Sequence, residues 1–141
     1  MTAVLDTNVL VSALWSPQGS PAQVVTAAYA GSFDPVVSED IMDEYFRVLT
    51  SRELSLPVPA VREMLAWFRQ FLLPLPPPLA PHRCHDPGDQ KLLDAALAAQ
   101  AALLVTGNRR HFPAHVPHVA IVSPAEALHR IRLPRTMSDD R

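Results

Sequence analysis

A chain of 141 residues, 48% of them hydrophobic, has the length of one ordinary domain and enough apolar side chains for a core without disulfides or a structural metal. Its formal net charge of −2 excludes sequence-independent capture of nucleic acid by a broad basic surface, which relies on many Lys and Arg contacts to phosphate, and leaves room for local contacts. No apolar run approaches the roughly 18 residues of a membrane helix, the opening Met1-Thr2-Ala3-Val4-Leu5-Asp6 does not resemble a secretory signal, and the lone cysteine, Cys84, suits a reducing compartment, so a cytoplasmic protein is expected.

Thr2–Leu5 is short, apolar and β-capable and stops abruptly at Asp6, as a buried strand of a parallel sheet does. Asn8–Leu14 continues as a helical turn or two. Ser20-Pro21 joins a capping hydroxyl to Pro at the first helical position, which predicts a helix over Ala22–Ala30 that Gly31 ends. Pro35–Val37 reads as the second strand. Ser38 is the N-cap of a helix that puts Ile41, Glu44, Tyr45, Val48 and Leu49 on one stripe. Glu44 therefore lies on the apolar side, while Asp40 and Asp43 fall on the wet side. A buried carboxylate without a partner is costly, and a salt bridge to Arg47 is the local alternative to a role in a site.

Pro59–Leu73 forms a second amphipathic helix, with Val61, Met64, Leu65, Phe68 and Leu72 on one stripe that Trp67 and Phe71 widen. That face belongs in the core, and its breadth would also serve to dock a second subunit or another protein's helix. The Pro-rich stretch 73–81 predicts a short strand and a stiff crossover in preference to a domain linker, since the chain beyond Pro81 has too little apolar content for a separate core. Asp89–Ala101 is helical, with Leu92, Leu93, Ala96 and Leu97 inward and Asp89 in the first turn, where the helix dipole also favours a carboxylate. Asp94 falls off that face and is expected in solvent. Ala102–Thr106 is a buried strand followed by Gly107-Asn108, Val119–Val122 is another strand, and Ser123-Pro124 opens a last helix through Ile131. The alternation predicts an α/β fold, a three-layer α/β/α sandwich around a mostly parallel sheet. A single domain over 1–133 with a disordered tail over 134–141 is expected.

In such a sheet, ligands bind outside the carboxyl ends of the strands. Four polar marks belong to that edge: Asp6-Thr7-Asn8, Glu44, Asp89 within Asp86-Pro87-Gly88-Asp89, and Thr106-Gly107-Asn108. Carboxylates gathered there make a hard-cation site, because Mg²⁺ and Mn²⁺ prefer oxygen ligands and keep water in the remaining positions. The combination points to phosphodiester hydrolysis. The Pro-Gly context of Asp86 reads as a turn, so its role is supporting. Cys84 lies in His82-Arg83-Cys84-His85 with no recognisable oxyanion loop and reads as an ordinary half-buried thiol. Neither that cluster nor His111, His115 and His118 has the ligand set of a closed zinc site. A phospho-receiver domain also clusters acids at strand ends but needs a late Lys, and the only Lys, Lys91, is not placed for it.

Taken together, Val4-Leu5-Asp6-Thr7-Asn8-Val9-Leu10, Ser38 with Glu44, Asp86-Pro87-Gly88-Asp89 followed by Leu93 and Ala96, and Val105-Thr106-Gly107-Asn108 with Phe112 resemble the PIN-domain family. More narrowly, the chain looks like the bacterial branch of toxin components of toxin–antitoxin systems, related to VapC toxins. The resemblance spans about residues 2–128 and implies a ribonuclease dependent on Mg²⁺ or Mn²⁺. Asp6, Glu44 and Asp89 match its first three acidic positions; the fourth, commonly Asp, is Asn108, which can orient water but adds no charge. By this likeness Asp6 and Asp89 hold the principal metal and Glu44 completes the metal-binding cluster, directly or through water. Thr7 and Asn8 orient Asp6 and water, and Arg109 or Arg110 contacts a phosphate. The implied partners are an RNA substrate, a cognate antitoxin and a second copy in a homodimer, with no membrane. The alternatives are a PIN-fold interaction module weakened by the missing fourth acid, or a solitary nuclease outside any toxin–antitoxin pair.

Overall fold

A computed structural model describes residues 1–132; the end of the expected domain at 133 and the tail 134–141 lie outside the described residues. β1 (Thr2–Leu5) occupies the inside of the sheet, and Ala3, Val4 and Leu5 are all fully buried. Burial of consecutive side chains requires cover on both faces. β2 (Asp34–Pro35) and β3 (Leu103–Val105) flank β1, and β4 (Ala120–Val122) lies outside β3, in the order β2-β1-β3-β4 with every pair parallel. Leu5 stands opposite Val105, and Val105 opposite Val122. Three strands therefore end level. The ladder runs one step further, with Asp6 N donating to Val105 O and Thr106 N to Val122 O, both at 2.9 Å. Asp6 and Thr106 thus leave the sheet side by side.

Six helices surround the sheet among the described residues: α1 (Thr7–Trp15), α2 (Ser20–Tyr29), α3 (Glu39–Leu49), α4 (Val58–Arg69), α5 (Gln90–Ala98) and α6 (Pro124–Arg132). α2 packs on α1 and α6, α3 packs on α4 and α5, α5 lies against β1 and β3, and α6 lies against β3. This is the layered α/β arrangement expected from the alternating pattern. Ser38 caps α3 as its sequence predicts, its Oγ accepting from Ile41 N at 3.2 Å. Tyr45, fully buried, donates its hydroxyl to Leu5 O at 2.5 Å and ties α3 to the last residue of β1.

The broad face of α4 is satisfied largely within the chain. Trp67 meets Tyr29, Phe68 and Phe71 at centroid distances of 4.6, 5.2 and 4.9 Å, within the range of favourable aromatic pairs. α4 ends at Arg69, short of Leu73, because the chain tightens there: Gln70, Phe71 and Leu72 N donate to carbonyls three residues back. The short strand expected within 73–81 does not form; just ahead of it a single parallel bridge pairs Val37 with Leu72. α5 ends at Ala98, short of Ala101, because Gln100 turns left-handed at φ 53° and Ala101 N reaches back to Ala96 O at 2.8 Å, a terminating pattern of helix ends.

Asp94 corrects the reading that placed it in solvent. It is 9% exposed, and its Oδ1 accepts from Ala80 N at 2.7 Å and from Gln90 Nε2 at 2.9 Å. The Pro-rich segment folds back over α5, and its buried Ala80 N–H needs an acceptor that this segment, poor in its own hydrogen bonds, cannot supply.

Candidate active site

The site is assembled from three places where the chain leaves regular structure at one edge of the sheet. Asp6 follows β1 and occupies the N-cap position of α1, yet its carboxylate makes no capping bond. Its Oδ2 instead accepts from Thr106 Oγ1 at 2.8 Å and lies 3.5 Å from Asn8 Nδ2. Thr106, 1% exposed, also accepts from Asn108 N at 3.0 Å, and Asn8 Oδ1 accepts from Gly107 N at 3.1 Å. The two strand-end turns are thereby stitched together around a carboxylate that is 6% exposed. Burial pushes the Asp6 carboxyl above its ordinary value, Thr106 opposes this, and the charges of Asp89 and Glu44 push it further up.

Asp89 stands at the end of a short 3-10 turn, Pro87–Asp89, just ahead of α5. Asp86 builds that turn by accepting from Gly88 N at 2.8 Å, the structural role its Pro-Gly context implies. His111 Nδ1 approaches Asp89 Oδ2 to 3.3 Å, the distance of an ion pair when the imidazole is protonated, without the alignment of a hydrogen bond, so among the described residues this buried oxygen has no hydrogen-bond partner. Burial raises the Asp89 carboxyl, Asp86 adds to the rise, His111 opposes it and Glu44 adds a smaller push.

Glu44 projects from α3 with its side chain only 16% exposed. Arg47 is a poor partner, 3.9 Å away with its side chain 72% exposed. The partners are instead Thr7, whose hydroxyl donates to Oε2, and Lys91, whose Nζ donates to Oε1 at 2.7 Å and also to Gly88 O. Lys91 and His111 were not read from the sequence as site residues, and Thr106 was read only as part of a polar mark, without a role. For Lys91 a signal existed: it is the only Lys among 12 basic residues and sits in the first turn of α5, where the helix dipole disfavours a cation.

Asn108 is exposed, and its side chain makes no hydrogen bond among the described residues; a cleft of about 230 Å³ lined by Asn8, Ser12, Gly107 and Asn108 adjoins it. Of the two arginines, Arg109 braces its own loop, Nη1 donating to Pro113 O at 3.1 Å and Nη2 to Ala114 O at 2.7 Å. Its fork is committed to the loop. Arg110 is exposed and has no side-chain partner among the described residues.

Among the described residues no three His, Cys, Asp or Glu side chains form a ready-made metal cage. Mg²⁺ seldom uses one; it binds through one or two carboxylates and keeps several waters. The orphaned Asp89 Oδ2, and an Asp6 carboxyl that feels the charge of Asp89, are groups whose cost such an ion relieves. The donor set therefore fits a divalent cation held by Asp6 and Asp89.

The chain matches the family model of the PIN domain over residues 2–110. No curated protein sequence matches it. Among solved structures it is similar to VapBC2 from Rickettsia felis bound to a DNA fragment from their promoter, with a TM-score of 0.54 and 17% identity over 87% of this chain and 98% of that one; at that identity the likeness concerns the fold. A model match over most of the chain and a shared fold lead to one conclusion: the chain belongs to the PIN-domain family.

Proposed function

We propose that this protein is a Mg²⁺- or Mn²⁺-dependent endoribonuclease and the toxin of a bacterial toxin–antitoxin pair, with Asp6, Glu44 and Asp89 as its catalytic acids. The observation that supports the reading is the nearness at one sheet edge of Asp6 and Asp89, two desolvated carboxylates of which the first feels the charge of the second, and the second has a buried oxygen that lacks a hydrogen bond among the described residues. When bound, the ion lowers the pKa of a coordinated water and neutralises charge on the phosphate. Asp6 and Asp89 would hold it through their carboxylate oxygens. Thr106 and Asn8 hold Asp6 in one orientation, as outer hydrogen bonds do for ligating carboxylates, and Glu44 completes the acidic cluster under the hold of Thr7 and Lys91. Arg110 contacts the RNA backbone beside the cleft at Asn8 and Asn108.

The VapBC2 likeness supports an antitoxin partner, and no helix among the described residues is long and apolar enough to cross a membrane. Cytoplasmic action and a homodimer complete the proposal. The test is cleavage of labelled RNAs by purified protein with Mn²⁺, Mg²⁺ or EDTA, beside Asp6→Asn and Asp89→Asn. Metal-dependent cleavage lost in both variants upholds the nuclease. No cleavage together with no metal uptake overturns it in favour of an interaction module. Growth arrest on expression, relieved by the product of a neighbouring small reading frame, tests the toxin role. A strict monomer in light scattering at high concentration removes the homodimer.

A further inference from the structure

We infer that the site takes a single divalent cation and that Lys91, standing on Glu44, serves in place of a second one. The inference rests on the nuclease reading and concerns how its site is charged. Both Glu44 oxygens are engaged, Oε1 by Lys91 Nζ at 2.7 Å and Oε2 by the Thr7 hydroxyl. A metal ion at Oε1 would have to displace the ammonium or share the oxygen with a like charge a few ångströms away, which is repulsive in a desolvated setting. Two-metal sites instead need carboxylates to spare, their ions lying about 3.5–4 Å apart. Here Lys91 and Thr7 already occupy Glu44, the carboxylate that a second ion would need.

Formal charge agrees. Asp6, Glu44 and Asp89 contribute three negative charges and Lys91 one positive, a remainder that one divalent ion neutralises and two would overshoot. The chemistry of the side chain fits as well. Every other basic residue except the histidines is Arg, yet a compact ammonium stands here and donates to both Glu44 Oε1 and Gly88 O. Its place in the first turn of α5 opposes the helix dipole, so local helix preference does not account for it and Glu44 does. Lys91 is thus a positioning residue: it holds Glu44 and sets the metal count.

The test is calorimetric titration of Mn²⁺ into the full chain and into Lys91→Met, with electron paramagnetic resonance of the loaded proteins. One ion per chain and an isolated Mn²⁺ spectrum are expected for the wild type. For Lys91→Met, which keeps the stem and removes the charge, a shift towards two ions with spin–spin broadening is expected. Lys91→Arg should stay at one ion. Two ions in the wild type, or one in Lys91→Met with unchanged affinity, would overturn the inference and leave the nuclease reading standing. No ion in the wild type removes both. If Lys91→Met does not fold by circular dichroism, Asn108→Asp decides at an exposed position: with Lys91 in place it should still take one ion, and a second ion there refutes the assignment.

Discussion

Asp89 and Asp94 lie close together in sequence, one just ahead of α5 and one within it, and their surroundings differ sharply. On the Asp94 side the Pro-rich segment closes over α5, and the carboxylate bonds to Ala80 N and Gln90 Nε2. On the Asp89 side the helix faces the edge of the sheet, and Oδ2 is buried with no aligned partner. A buried acid whose acceptors are used holds structure together; one left unsatisfied is costly unless a ligand completes it. Burial alone does not separate the two roles, since Asp94 is the more buried. Satisfaction of the oxygens does.

The largest effect that would break this contrast is on cleavage. Asp89→Asn and Asp6→Asn should each lower kcat at least about 100-fold, the upper range for loss of groups that support a metal site, and abolish Mn²⁺ binding. Neither should unfold the protein. Both carboxyls are raised above their ordinary 3.8, so the folded chain holds these protons more tightly than the unfolded one. In EDTA their contribution to stability is complete below the ordinary carboxylate range and is lost as pH rises through the raised folded values. Asn at either position removes that loss, and Tm of the metal-free variants at pH 7 should equal or exceed that of the wild type. A clear fall would place Asp89 with Asp94 as a structural acid.

Asp94→Ala should do the opposite. It strands the buried Ala80 N–H and takes one of two acceptors from the Gln90 amide, which keeps His82 O; this costs about 2 kcal/mol and lowers Tm by about 4–8 °C, while Mn²⁺ stoichiometry stays unchanged. Thr106→Val removes the hydroxyl shared by Asp6 and Asn108 N and should weaken Mn²⁺ binding about tenfold; unaltered affinity would show that Asp6 needs no outer partner. The smallest effect is on Cys84, which lies between the two regions. Its thiol is pushed up to about 11, by burial first and then by Asp89, Asp94 and Asp86. Raised thiol pKa means little thiolate at pH 8, so iodoacetamide should react slowly. Asp89→Asn should speed that reaction by less than about tenfold, and no change would mean that Asp89 is farther from the thiol than its charge indicates.

Legibility of the site followed how local each signal was. Asp6 stood out as a candidate because an apolar run stops at it, Ser38 as a cap because a hydroxyl precedes a helical stripe, and Glu44 as a candidate because a carboxylate stands on the apolar side of that stripe. Asp86 was read correctly from Pro87-Gly88, whose turn chemistry acts over a few bonds. Asp94 was misread because its acceptor role depends on a Pro-rich segment that carries no periodicity. The Arg109 brace to Pro113 and Ala114 was missed because loop carbonyls leave no pattern in side-chain type.

The amino-acid sequence by itself determined the alternation of strands and helices and marked three acids as candidates for one edge of the sheet, since hydrophobic period, caps and turn residues act within a few positions along the chain. Only the tertiary structure decided who partners whom. Thr106 reaches Asp6 across a separation of 100 residues and Lys91 reaches Glu44 across 47. Such pairs are set by strand register and helix packing, which bring together groups that share no local pattern, and it is these pairings that make one acid structural, another unsatisfied and a third the seat of a lysine.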